Sequence, residues 1–67
     1  MAHWNHRVLT DDELYWIGEV YYDDDGNPEG YTYPVAPQGE CLEDVSWELT
    51  QMQKALLKPV LKAWKND

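Results

Sequence analysis

Leu42, Val45, Leu49, Met52 and Leu56 recur at spacings of three, four, three and four residues. At 3.6 residues per turn this places them on one stripe of a helix, and a stripe that apolar has to be covered. The spacing predicts a helix over 42–57, about 24 Å long at 1.5 Å per residue and long enough to cross a three-stranded sheet. Cys41 stands where an N-cap belongs, with Asp44 three residues on. This imitates a capping box, with a thiol in place of a better hydrogen-bonding hydroxyl. Glu43 and Asp44 in the first turn, with Lys54 and Lys58 towards the end, suit the helix dipole. Pro59 disfavours helical geometry at Lys58 and ends the run.

Only a sheet is left to cover that stripe. Trp4 to Thr10 reads as a first strand, with Trp4, His6 and Val8 on one face and Asn5, Arg7 and Leu9 on the other. Either face could be the buried one. Tyr15 to Tyr22 is dense in aromatic and β-branched residues, as strands are. Its uncharged set, Trp16, Gly18, Val20 and Tyr22, is the better candidate for the core. Asp23-Asp24-Asp25-Gly26-Asn27-Pro28-Glu29-Gly30 gathers turn formers and predicts a hairpin. The returning strand is expected at Tyr31 to Tyr33, extending towards Val35, and on a sheet edge because Pro34 and Pro37 donate no ladder hydrogen bond. Residues 60–64 predict a short C-terminal helical turn whose Trp64 docks back. The expected fold class is α+β: a three-stranded antiparallel sheet covered on one face by one main helix, as one domain over 1–67.

At 67 residues the hydrophobic core alone is barely sufficient, and dense aromatic packing is one remedy. Four Trp and five Tyr, with no Phe, supply it. The rings carry N–H and O–H groups that need partners, and some are expected at the surface as binding anchors. The single cysteine, Cys41, excludes an internal disulfide and a Cys-based zinc site, and fits a reducing compartment. With no apolar run of signal-peptide or membrane-spanning length, the expected location is the cytoplasm.

Charge is distributed unevenly. Residues 1–48 hold twelve Asp or Glu against one Arg, a balance of −11; residues 49–67 hold four Lys against one Asp, a balance of +3. Direct binding to nucleic acid or an anionic membrane is disfavoured, because phosphate contacts need a broad Lys/Arg surface. A basic protein surface is the expected partner.

Several chemistries can be set aside. Asp23, Asp25 and Asn27 have the alternating oxygens that open a calcium loop, but the sixth and twelfth positions hold Pro28 and Pro34 where Gly and Glu belong. His3 and His6, at odd spacing on a strand, point to opposite faces and cannot share an ion. Cys41 and Ser46 lack a base and an oxyanion site in the sequence pattern, and Glu40, Glu43 and Asp44 oppose a thiolate. No metal, no cofactor and no enzymatic activity are expected. The candidate partner-binding residues are the carboxylates of the turn and of the helix start: Asp23, Asp24, Asp25, Glu29, Glu43, Asp44 and Glu48. A bland alternative is that these acids only keep an aromatic-rich chain soluble.

The ordered set Trp4-Asn5-His6-Arg7-Val8, Glu19-Val20-Tyr21-Tyr22-Asp23, Gly26-Asn27-Pro28 and Leu56 with Lys58-Pro59-Val60-Leu61 resembles a family of short uncharacterised bacterial proteins. Members often carry Ser at the position of Cys41, in keeping with an N-cap there. The resemblance implies a shared fold and carries over no functional residues. In size, acidity and α+β organisation the chain is also similar in kind to phage-encoded inhibitors of bacterial defence, including anti-CRISPR proteins and DNA mimics. That likeness implies occupation of a positively charged nucleic-acid-binding surface. The alternative expectation is a self-associating domain, a homodimer through exposed aromatics.

Overall fold

In the computed structural model, which describes residues 3–64, the chain runs β1 (His3–Thr10), β2 (Tyr15–Tyr22), β3 (Pro28–Tyr31), α1 (Leu42–Ala55) and β4 (Leu61–Lys62). The strands form one sheet in the order β3-β2-β1-β4. β1 and β2 pair antiparallel from His3↔Tyr22 to Thr10↔Tyr15. The fold is therefore α+β, as the residue pattern predicts, but the sheet is four-stranded and mixed rather than three-stranded and antiparallel.

The difference lies at the C-terminal end. Residues 60–64 do not form a helical turn: Leu61 and Lys62 pair parallel to Leu9 and Thr10, and Ala63 N–H donates to the Thr10 carbonyl at 2.8 Å. Five residues beyond a proline cannot repay the cost of starting a helix. The open edge of β1 offers their backbone groups partners at once. Trp64 does dock back, onto Tyr31, with ring centroids 4.8 Å apart and the Tyr31 hydroxyl donating to the Trp64 carbonyl.

Tight turn chemistry sets the hairpins. Asp23 Oδ1 accepts from the Asp25 and Asn27 amides, while Gly26, at φ 85°, closes back to the Asp23 carbonyl. The turn is thus shorter than its composition suggests, and β3 begins at Pro28 rather than at Tyr31. Beyond Tyr31 the ladder is irregular, yet the Thr32 and Val35 amides still donate to the Glu19 and Ile17 carbonyls of β2. Pro28 and Pro34 sit on the outer edge, where no ladder bond is lost.

The register assigns the two faces of β1. Asn5, Arg7 and Leu9 share a face with Trp16, Gly18, Val20 and Tyr22. This face holds the core, in which Leu9, Val20 and Tyr31 are buried and Trp16, Tyr22, Leu61, Ala63 and Trp64 pack around them. The second strand's uncharged set is the buried one, as its composition indicates. Helix α1 lies on the opposite face, where His6 Nε2 of β1 approaches Glu48 Oε2 of the helix at 3.5 Å. Both faces of β1 are consequently used, and Val8, Leu9 and Thr10 are all buried.

Helix α1 is two residues shorter than the periodicity predicts. Leu56, Leu57 and Lys58 bond back three residues instead of four, tightening the last turn before Pro59. Cys41 is the N-cap but its thiol makes no capping bond; Asp44 Oδ2 instead accepts from the Glu40 amide at 3.2 Å. The helix also sits rotated. Met52 and Ala55 are buried and Val45, Glu48 and Gln51 half-buried, whereas Leu42, Leu49 and Leu56 face solvent. At 100° per residue the buried arc is centred about 75° away from the apolar stripe.

Candidate acidic groove on the helix

Asp44, Trp47 and Glu48 follow one another at spacings of three and one, which sets them on one face of α1, on the flank of the buried arc. The chain enters the helix close against this flank. Gly39 approaches Asp44 so tightly that a Cβ at position 39 would collide with the Asp44 side chain. Only glycine fits there. The result is a groove of about 300 Å³ lined by Gln38, Gly39, Asp44, Trp47 and Glu48. Trp47 forms one wall and stays 58% exposed.

The groove is negative in character. Glu48 shares one carboxylate oxygen with His6, whose side chain is buried, and keeps its own side chain 27% exposed. Asp44 spends one oxygen on the Glu40 amide. Both acids are thereby held in position with an oxygen still available, and the aromatic wall stands beside them. A cationic side chain entering here would meet an indole face and two carboxylates at once.

The seven sequence-predicted carboxylates do not gather in this groove. Asp44 and Glu48 line it; Glu43 is exposed in the first turn of α1 outside its lining. Asp23, Asp24, Asp25 and Glu29 belong to the β2–β3 hairpin, where Asp23 organises the turn through two backbone amides. Asp25 and Glu29 are exposed. Of Lys54, Lys58 and Lys62, only Lys62 pairs with a carboxylate among the described residues, and its partner is Asp12 at 2.9 Å. Among the described residues Asp25, Glu29, Glu43, Asp44 and Glu48 form no ion pair with these lysines. Lys65 and Asp67, which contribute to the basic balance of the C-terminal stretch, lie outside the described residues.

A second groove, of about 280 Å³, runs along the other side of Trp47, between Trp4, Asn5 and His6 of β1 and Gln51, Lys54 and Lys58. Trp47 therefore divides an acidic groove from a basic one. Sequence reasoning passed over Trp47. The usable signal was its place between Asp44 and Glu48, with a glycine five residues before Asp44 to bring the chain in.

Among the described residues no group of three or more His, Cys, Asp or Glu side chains could hold a metal ion, and no helix is long and apolar enough to cross a membrane. Cys41 is exposed and unbridged. Compared with protein-family models, curated proteins and solved structures, the chain finds no match in any of the three.

Proposed function

We propose that this chain is an acidic protein-binding module whose centre is the Asp44–Trp47–Glu48 groove, and that it engages a basic surface of its partner by taking up a Lys or Arg side chain. The observation that carries the reading is the exposed indole of Trp47 set beside two positioned carboxylates in one groove. Charges alone, fully solvated, contribute little to affinity, whereas an aromatic anchor beside them supplies the desolvated contact that binding hot spots share. The hairpin acids Asp24, Asp25 and Glu29, with Glu43, supply the wider negative field that speeds encounter with a cationic partner. A surface that offers carboxylates to Lys and Arg side chains competes for the same groups that hold phosphates. On this reading the partner is a nucleic-acid-binding protein, and the chain acts as an inhibitor that occupies its phosphate-binding surface, as DNA mimics do.

The test is titration with an arginine-rich peptide, read by tryptophan fluorescence at several salt concentrations. Quenching is expected, weakening as salt shortens the Debye length, and lost in Asp44→Asn carrying Glu48→Gln, which keeps the Trp47 reporter. Binding that ignores salt, or survives in that variant, refutes the groove as the site.

A further inference from the structure

The opposite flank of α1 carries a surface that the acidic groove does not use. Leu42, Leu49, Leu56 and Leu57 are 87%, 48%, 65% and 87% exposed. At 100° and 1.5 Å per residue, the first three fall within about 40° of one another and about 10.5 Å apart along the axis. Ser46, Thr50 and Gln53 stand beside them, so this seam holds no ionisable side chain in a chain of net charge −8. Leucines exposed to this extent offer on the order of 500 Å², towards the upper end of what a monomer leaves uncovered.

The geometry points to a second copy of the chain as the occupant, the two α1 helices packing antiparallel about a twofold axis at Leu49. Leu42 and Leu56 are each seven residues from Leu49. In an antiparallel pair Leu42 therefore meets Leu56 of the partner subunit, and Leu49 meets its own counterpart, as an isologous interface requires. The helix dipoles also oppose in this arrangement, whereas a parallel pair would align them. A basic partner helix would find no carboxylate within the seam. Burying both seams removes about 1,000 Å², the lower bound for a specific interface. The acidic groove stays open in such a dimer, because Asp44, Trp47 and Glu48 point about 100° or more away from the seam.

The sign of the salt effect separates this association from the acidic groove. Two copies at −8 each repel at long range, so salt strengthens the dimer, whereas salt weakens the hold on a basic probe. Sedimentation equilibrium of the full chain at low and high salt should show mass rising with concentration from 7.9 kDa towards twice that value, more readily in high salt. Trp47→Ala should behave the same, and Leu49→Asp should remain at 7.9 kDa with its circular dichroism unchanged. Independently, with Cys41→Ser as background, Leu49→Cys should be joined to its counterpart by a short bismaleimide. Glu43→Cys should not, because antiparallel packing carries the two copies of position 43 to opposite ends. A wild type that stays monomeric at millimolar concentration in high salt overturns the inference. So does a Leu49→Asp variant that dimerises undiminished, or a Glu43→Cys variant that cross-links as readily as Leu49→Cys. None of these three outcomes alters the peptide titration, since the monomer exposes the groove equally.

Discussion

Gly18→Ala is a substitution whose sign depends on packing. In a relaxed strand, alanine in place of glycine gains about 0.5–1 kcal/mol by reducing the freedom of the unfolded chain. Position 18 is not relaxed. Gly18 is buried opposite Arg7, and a Cβ there would collide with the Thr32 carbonyl oxygen while standing 3.0 Å from Leu9 Cδ1 and 3.2 Å from Trp16 Nε1. The Thr32 oxygen belongs to the backbone and accepts from Trp16 Nε1 at 3.1 Å, so it cannot step aside without losing that bond. Overpacking costs about 1–3 kcal/mol. An indole N–H left without its partner adds about 1–3 kcal/mol. Net of the entropic gain, the variant should lose about 1–5 kcal/mol. A chain of this length holds only about 3–10 kcal/mol in total. Urea unfolding followed by tryptophan emission should show the midpoint falling by about 1 M or more at a slope near 1 kcal/mol/M. A midpoint within about 0.5 M of wild type, or above it, refutes the reasoning.

Gly26→Ala tests backbone strain alone, because nothing lies within 4 Å of the added Cβ and φ is 85°. It should cost about 1 kcal/mol in the same urea assay. Leu9→Ala, in the fully buried core, should cost about 2–5 kcal/mol, while Leu14→Ala on the exposed β1–β2 turn should stay within about 0.5 kcal/mol. Backbone amides of Leu14 and Glu13 bonded to Asp11 hold its carboxyl below its ordinary value of 3.8. A depressed folded value means that Asp11 contributes stability above pH 3.8 and loses it as pH falls below that value. Asp11→Ala should therefore flatten the acid limb of the stability profile measured by thermal unfolding between pH 5 and pH 2.

The elements legible from sequence were those with local causes. The aromatic run of β2, the turn chemistry around Gly26 and the periodicity of α1 each act within a few residues, and each formed close to where expected. The phase of α1 was not legible in that way. Leucines at 42, 49 and 56 mark a helix regardless of which arc faces the sheet, and the arc that is buried, Met52 and Ala55 with Val45, Glu48 and Gln51, depends on long-range packing against β1 that spacing does not encode. β4 escaped for a similar reason: a two-residue strand exists only because β1 has an edge beside it. Of the candidate site, Asp44 and Glu48 could be named as acids, but the groove needs Trp47 and the close passage of Gly39, which becomes visible only once the loop is folded. The hairpin acids were grouped with them by charge and not by position.

The central claim is that the groove, and not diffuse negative charge, captures a basic partner. The direct measurement compares two charge-matched variants, Asp44→Asn with Glu48→Gln and Asp25→Asn with Glu29→Gln, in titrations of the arginine-rich peptide at fixed salt. Both remove two charges and should weaken long-range attraction equally. The account predicts that the groove variant loses at least tenfold in affinity, about 1.4 kcal/mol, while the hairpin variant loses no more than a few fold. Equal losses in the two variants would contradict it.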